Sequence, residues 1–108
     1  MRTQEKRILE GAGYEVVAAV DGLDAWEKLN QGSFDAVISD VQMPNLDGLN
    51  LTRKIRAQSA TRSLPIILLT SLASDEDRLQ GIQAGANAYL TKPTFNPKDF
   101  LETVARLL

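Results

Sequence analysis

Hydrophobic and polar positions along the chain fall into blocks whose period switches between that of a helix and that of a strand. A charged opening turn leads into Ile8 and Leu9, and Gly11 and Gly13 supply the left-handed conformations that end helices, so a helix is expected at the start. Tyr14–Ala19, aromatic and β-branched at its centre, reads as a short strand. Asp21 then offers a carboxylate to the free N–H groups of a following turn, and Ala25, Trp26 and Leu29 give that second helix an apolar side.

The alternation continues with strands at Phe34–Ser39 and Pro65–Leu69, separated by a helix carrying Leu51 and Ile55. Both are near-continuous apolar runs, the pattern of parallel strands covered by helices on each face. Ser74 to Asp77 open another helix as a capping-box variant and Gly85 closes it; Ala88–Thr91 supplies the last strand. Asn96-Pro97 starts a final helix, whose Phe100, Leu101, Val104 and Leu108 recur at helical spacing and should pack on the sheet. Strands alternating with helices imply right-handed crossovers and an α/β fold with a doubly wound parallel sheet. Gly11-Ala12-Gly13 is not a dinucleotide loop, because a strand follows it where that motif needs a strand before and a helix after.

Composition narrows the chemistry. A length of 108 residues is one domain's worth, and a formal charge of −2 argues against a nucleic-acid or anionic-membrane partner. There is no cysteine and no histidine, which excludes disulfides, a thiolate nucleophile, a Ser-His-Asp hydrolase, histidine-ligated zinc and a phosphohistidine carrier. The apolar runs are far shorter than the roughly 20 residues of a membrane span, and the start does not resemble a signal peptide, so a cytoplasmic location is expected.

In doubly wound sheets, ligands bind beyond the carboxyl ends of the strands. Asp40, Thr70 and Lys92 stand at those ends, with Ser71 beside the threonine. An acid, a hydroxyl and a cation converging on one crevice form a coherent phosphoryl-transfer site: nucleophile, hydrogen-bond donor and countercharge. Lys92-Pro93 fixes a turn, which a cis bond would sharpen, and Met43-Pro44 and Asp47-Gly48 punctuate the loop after Asp40. An aspartate-nucleophile phosphatase would need a second acid two residues after Asp40, where Gln42 stands.

The blocks Ser39 to Gly48, Leu69-Thr70-Ser71 and Tyr89-Leu90-Thr91-Lys92-Pro93 resemble the signature blocks of response-regulator receiver domains, and the resemblance covers nearly the whole chain. The stretch from Thr70 to Asp77 and the opening Arg2 to Lys6 are similar to receivers of chemotaxis-type hybrid histidine kinases. The resemblance implies a flavodoxin-like receiver fold over residues 1–108, in a signalling domain and not an enzyme beyond its own phosphotransfer. Asp40 would accept phosphate from a phosphohistidine of a sensor histidine kinase or phosphotransfer domain, with Lys92 as countercharge. Thr70 and Tyr89 would be the switch pair, and magnesium would have Asp40 and the backbone carbonyl of Gln42 among its ligands.

One departure matters. Receivers begin with a buried apolar strand followed by an acidic pair that holds magnesium, and this sequence has neither. The missing strand would be the central one, between Tyr14–Ala19 and Phe34–Ser39, so two edges should lie open and the chain reads as an N-terminally truncated receiver. A homodimer, or a dimer exchanging elements, would cover those edges. With Asp40 alone, magnesium should bind weakly and self-phosphorylation should be slow. The competing function is a degenerate receiver acting as a phosphorylation-independent interaction module.

Overall fold

The structure, a computed structural model, describes residues 2–43, 45–71, 74–91 and 96–108, with side chains from Glu5 onward. Eight elements follow in the order α1 (Arg2–Gly11), α2 (Gly22–Gln31), β1 (Val37–Ser39), α3 (Gly48–Ala57), β2 (Ile66–Thr70), α4 (Asp75–Ala84), β3 (Ala88–Thr91) and α5 (Pro97–Leu107). The strands form a parallel sheet in the order β1-β2-β3, with Val37 opposite Ile66 and Thr70 opposite Thr91.

The helix starts are those the polar residues dictate. Asp21, Asp47, Ser74 and Asn96 each accept a backbone N–H of the following turn through their side chains. Gly85 ends α4 at φ 118°, a left-handed conformation that a residue with a Cβ adopts only under strain.

Side-chain alternation along β2 divides the core into two layers. Ile66 and Leu68 face Leu51, Ile55 and Tyr89 beneath α2, α3 and α4. Ile67 faces Leu9, Phe100 and Val104 on the side of α1 and α5. Every residue of β2 is buried, as its apolar run requires. Leu108, expected on the packed face of the last helix, is instead half exposed as the residue that caps it.

The largest departure from the expected pattern is at Tyr14–Ala19, which is not a strand. A strand is held by its ladder, and no strand lies beside this segment among the described residues. Its polar groups turn to local side chains instead: Lys28 Nζ donates to the Ala18 carbonyl at 2.9 Å, and the Val20 N–H donates to Asp24 Oδ2 at 2.9 Å. The expected strand at Phe34–Ser39 likewise shortens to Val37–Ser39. Its ladder starts where the Val37 N–H meets the Pro65 carbonyl, and Pro65 has no N–H to extend it. Val37 and Ile38 are only half-buried, because the far edge of β1 is unpaired. Between that edge and residues 14–19 lies a cleft of about 400 Å³. Among the described residues, the sheet of this flavodoxin-like fold thus has no strand in that cleft, where the resemblance placed the central one.

Arg56 closes the opposite side of the molecule. Its guanidinium donates to the carbonyls of Gly85 (2.9 Å), Arg62 (2.9 Å) and Leu64 (2.6 Å) and to Asn87 Oδ1 (2.7 Å). Asn87 Oδ1 also accepts the Ile66 N–H at 2.8 Å, so one hub joins α3, the loop before β2, and the turn into β3. Arg56→Ala leaves these acceptors unpaired and should destabilise the fold by about 2 kcal/mol, read as a lower urea midpoint at unchanged slope. Arg56→Lys should recover less than half, since an ammonium cannot span the same fork.

Candidate functional site

The sheet register brings the strand ends to a common level. Ser39 pairs with Leu68, which sets Asp40 level with Leu69, one step short of Thr70. Thr70 pairs with Thr91. Each step is about 3.3 Å, so the Asp40 and Thr70 backbones emerge from neighbouring strands on the same rim. Lys92 directly follows Thr91, but Lys92 and the Lys92-Pro93 bond lie outside the described residues. Asp40 is half-buried and Thr70 is buried.

The loop after Asp40 is clamped from two sides. Gly48 starts α3 so close to β1 that a Cβ there would overlap the Asp40 carbonyl oxygen, and the Gly48 N–H donates to the Val41 carbonyl at 2.8 Å. On the other side Asn45, at φ 70°, donates through its side-chain amide to Asp21 Oδ2, while Gly22 abuts the Leu46 backbone. Asp21 therefore does more than cap α2. The Asp24 N–H and the Asn45 amide both stabilise its carboxylate and hold its pKa below the usual range. Ser39 Oγ donates to the Asp40 carbonyl at 2.8 Å, fixing the backbone from which the acid projects.

Tyr89 shares a sheet face with Thr70. Leu68 and Thr70 point to the same side of β2, and Tyr89 is paired with Leu68. The Tyr89 ring is buried against Gly81 of α4, where an added Cβ would come within 2.6 Å of Cδ2. The Arg78 guanidinium lies 5.2 Å from the ring centroid and donates to the Tyr89 carbonyl at 2.9 Å. Burial of the phenol raises its pKa above 10.0; Asp77 adds to the rise and Arg78 opposes it.

Of the residues expected at the site, Asp40 and Thr70 are brought to one rim of the sheet, Tyr89 shares a sheet face with Thr70, and Gln42 sits exposed two residues beyond Asp40. Gly48, Asn45, Arg78 and Gly81 were not singled out from the sequence for these roles. Asp47-Gly48 carried a turn signal, whereas Arg78 and Gly81 carried none beyond their position on α4. Among the described residues, no group of three or more His, Cys, Asp or Glu could hold a metal ion. No helix among them is long and apolar enough to cross a membrane.

An open parallel sheet of this kind is the fold of receiver domains, and comparison with known proteins shows the same family. The family model described as response regulator receiver domain matches residues 1–105, and the chain belongs to that family. It is a signalling receiver domain of two-component systems, consistent with phosphate acceptance. It is 38% identical over 106 residues, 98% of its length, to the gliding motility regulatory protein of Myxococcus xanthus, of which it spans only 14%. It spans 41% of the DNA-binding dual master transcriptional regulator RpaA of Synechocystis, so it covers less than half of each of these relatives. Among solved structures, the chemotaxis protein CheY4 of Vibrio cholerae aligns at a TM-score of 0.90 and 40% identity, over 99% of this chain and 88% of that one. The receiver domain of a Pseudomonas aeruginosa sensor histidine kinase, which holds magnesium in its active-site cleft, aligns at 0.89 and 38% identity over 98% and 86%.

Gly48→Ala should cost about 1 to 3 kcal/mol of stability by overpacking and should shift the Asp40 and Val41 amide resonances. The phenol of Tyr89 gives a pH signature. Its folded pKa lies above its unfolded value, so the neutral form stabilises the fold fully below pH 10 and that contribution is lost as pH rises through the folded pKa. Urea midpoints between pH 8 and 11 should therefore fall more steeply in the wild type than in Tyr89→Phe.

Proposed function

We propose that residues 1–108 belong to one cytoplasmic receiver domain, in which Asp40 accepts phosphate from a sensor histidine kinase or phosphotransfer domain. The observation that carries this reading is the placement of Asp40 and Thr70 on one rim of adjacent parallel strands, with Lys92 next after the third. An Asp40 carboxylate oxygen attacks phosphorus as the P–N bond of the phosphohistidine breaks; the electron pair stays on the imidazole nitrogen, which takes up a proton. Thr70 donates its hydroxyl to a phosphoryl oxygen, and the Lys92 ammonium offsets the charge.

As Thr70 engages the phosphoryl group, Tyr89 follows on the same face and alters the surface of α4, β3 and α5. The shared sheet face and the contact of Tyr89 with Gly81 support this coupling. A balanced surface charge, −2 overall, supports a protein partner over a nucleic acid or membrane.

Among the described residues, no full magnesium site is assembled. Receivers hold the ion with an acidic pair beside the phosphoacceptor; here Asp40 and the Gln42 carbonyl are the candidate donors, and a single carboxylate binds magnesium weakly. Phosphorylation by a small phosphodonor such as acetyl phosphate should accordingly be slow, with intact mass showing well under one added phosphate per chain. A cognate kinase phosphohistidine should label the wild type, and Asp40→Asn should abolish the label while leaving the urea midpoint within about 1 kcal/mol. Equal labelling of Asp40→Asn would overturn the assignment.

A further inference from the structure

Arg78 and Gly81 stand three residues apart on α4, which puts them on one face of the helix. Together they make a slot for the Tyr89 ring. Gly81 is its floor: a Cβ there would lie 2.6 Å from Cδ2 and 2.9 Å from Cε2 of the ring, and 3.2 Å from Leu68 Cδ1. The ring and that methyl therefore share the space the glycine leaves. Arg78 is the lid, its guanidinium carbon 5.2 Å from the ring centroid. The same guanidinium donates to the Tyr89 carbonyl at 2.9 Å. One side chain thereby grips both the backbone and the ring of a single residue, and Tyr89 is left 4% exposed.

The grip is not the default for a cation in this position. Asp75, one turn back on the same helix, offers a carboxylate, yet among the described residues Arg78 makes no ion pair. Its guanidinium leaves that partner for two contacts with Tyr89, and holding so long a side chain in one geometry costs rotamer freedom. The two contacts also reinforce each other: the bond to the carbonyl fixes where the cation sits, and the cation so placed attracts the ring.

We propose that Arg78 is a positioning residue of the switch: before any phosphate arrives it seats the Tyr89 ring in the slot on α4, and so sets the balance between seated and displaced ring. This rests on the reading of Tyr89 as a switch residue given above. Displacing the ring requires a change in the Arg78 grip, which couples the state of Tyr89 to the first turns of α4.

The test uses the unphosphorylated chain, so its outcome does not depend on whether Asp40 accepts phosphate. The Leu68 Cδ1 methyl resonance reports the ring, and Tyr89→Leu gives its position when no ring is present. Arg78→Leu should move this methyl roughly halfway or more towards that position, while the Ile67 and Val104 methyls of the other core layer stay in place and show the fold intact. Arg78→Lys, which keeps a cation but cannot hold ring and carbonyl together, should give a smaller shift. The phenol supplies a second reading by its sign. Burial and Asp77 raise its pKa and Arg78 lowers it, so loss of the cation alone should raise the pKa further, whereas a ring released to water should titrate nearer to 10.0. A methyl that keeps its wild-type position in Arg78→Leu, or a phenol pKa that rises, would overturn the proposal. Should Arg78→Leu not fold, the same two readings on Arg78→Lys decide, and wild-type values for both would overturn it.

Discussion

Everything in this fold is referenced to β2. It pairs on both edges, with Val37–Ser39 on one side and Ala88–Thr91 on the other, and all of its residues are buried. Because successive side chains point to opposite faces, this one strand organises both helical layers and sets the height at which its neighbours end. A shift of one residue against β1 would move Asp40 relative to Thr70 and invert the packing of Ile66, Ile67 and Leu68 together. Burial on two faces therefore fixes the geometry of the site, which is built from residues at the ends of the strands.

Around that frame, the site is held by close approach more than by charge. Gly48 lets α3 start against the Asp40 backbone, and Gly81 lets Tyr89 lie against α4. The carboxylate of Asp21 ties the loop after β1 to the start of α2. The acid projects from a backbone with little freedom, while the groups that would respond to it, Thr70 and Tyr89, sit on the buried face behind. Charge at the rim and packing behind it are thereby linked through one pair of strands.

Much of this was legible in the sequence because the determinants are local. Asp21, Ser74 and Asn96 start helices through their own side chains, Gly85 stops one, and the apolar run at Ile66 to Leu69 admits no exposed face. Asp40 and Thr70 were found by asking what stands where such runs end. Tyr14–Ala19 was misread because strand propensity records fitness for a sheet and not the presence of a partner. The same cause shortened β1. Arg56 and Arg78 escaped notice for a different reason. Their roles depend on partners far away in sequence, such as Asn87 for Arg56 and Tyr89 for Arg78, and no short-range spacing announces them.

The Arg56 hub has a mechanical consequence. By tying the end of α3 to Gly85 and Asn87, it fastens α3 to the C-terminal end of α4 and to the turn into β3. The opposite half of α4 is tied differently: Arg78 holds the Tyr89 carbonyl and ring, while Ser74 caps the helix locally and Asp75 and Glu76 stand in solvent. The helix is thus held at two points, by Arg56 at its C-terminal end and by Arg78 against Tyr89. A displacement of Tyr89 would therefore reach the first turns of α4 directly through Arg78, while the end at Gly85 stays fastened to α3 by Arg56.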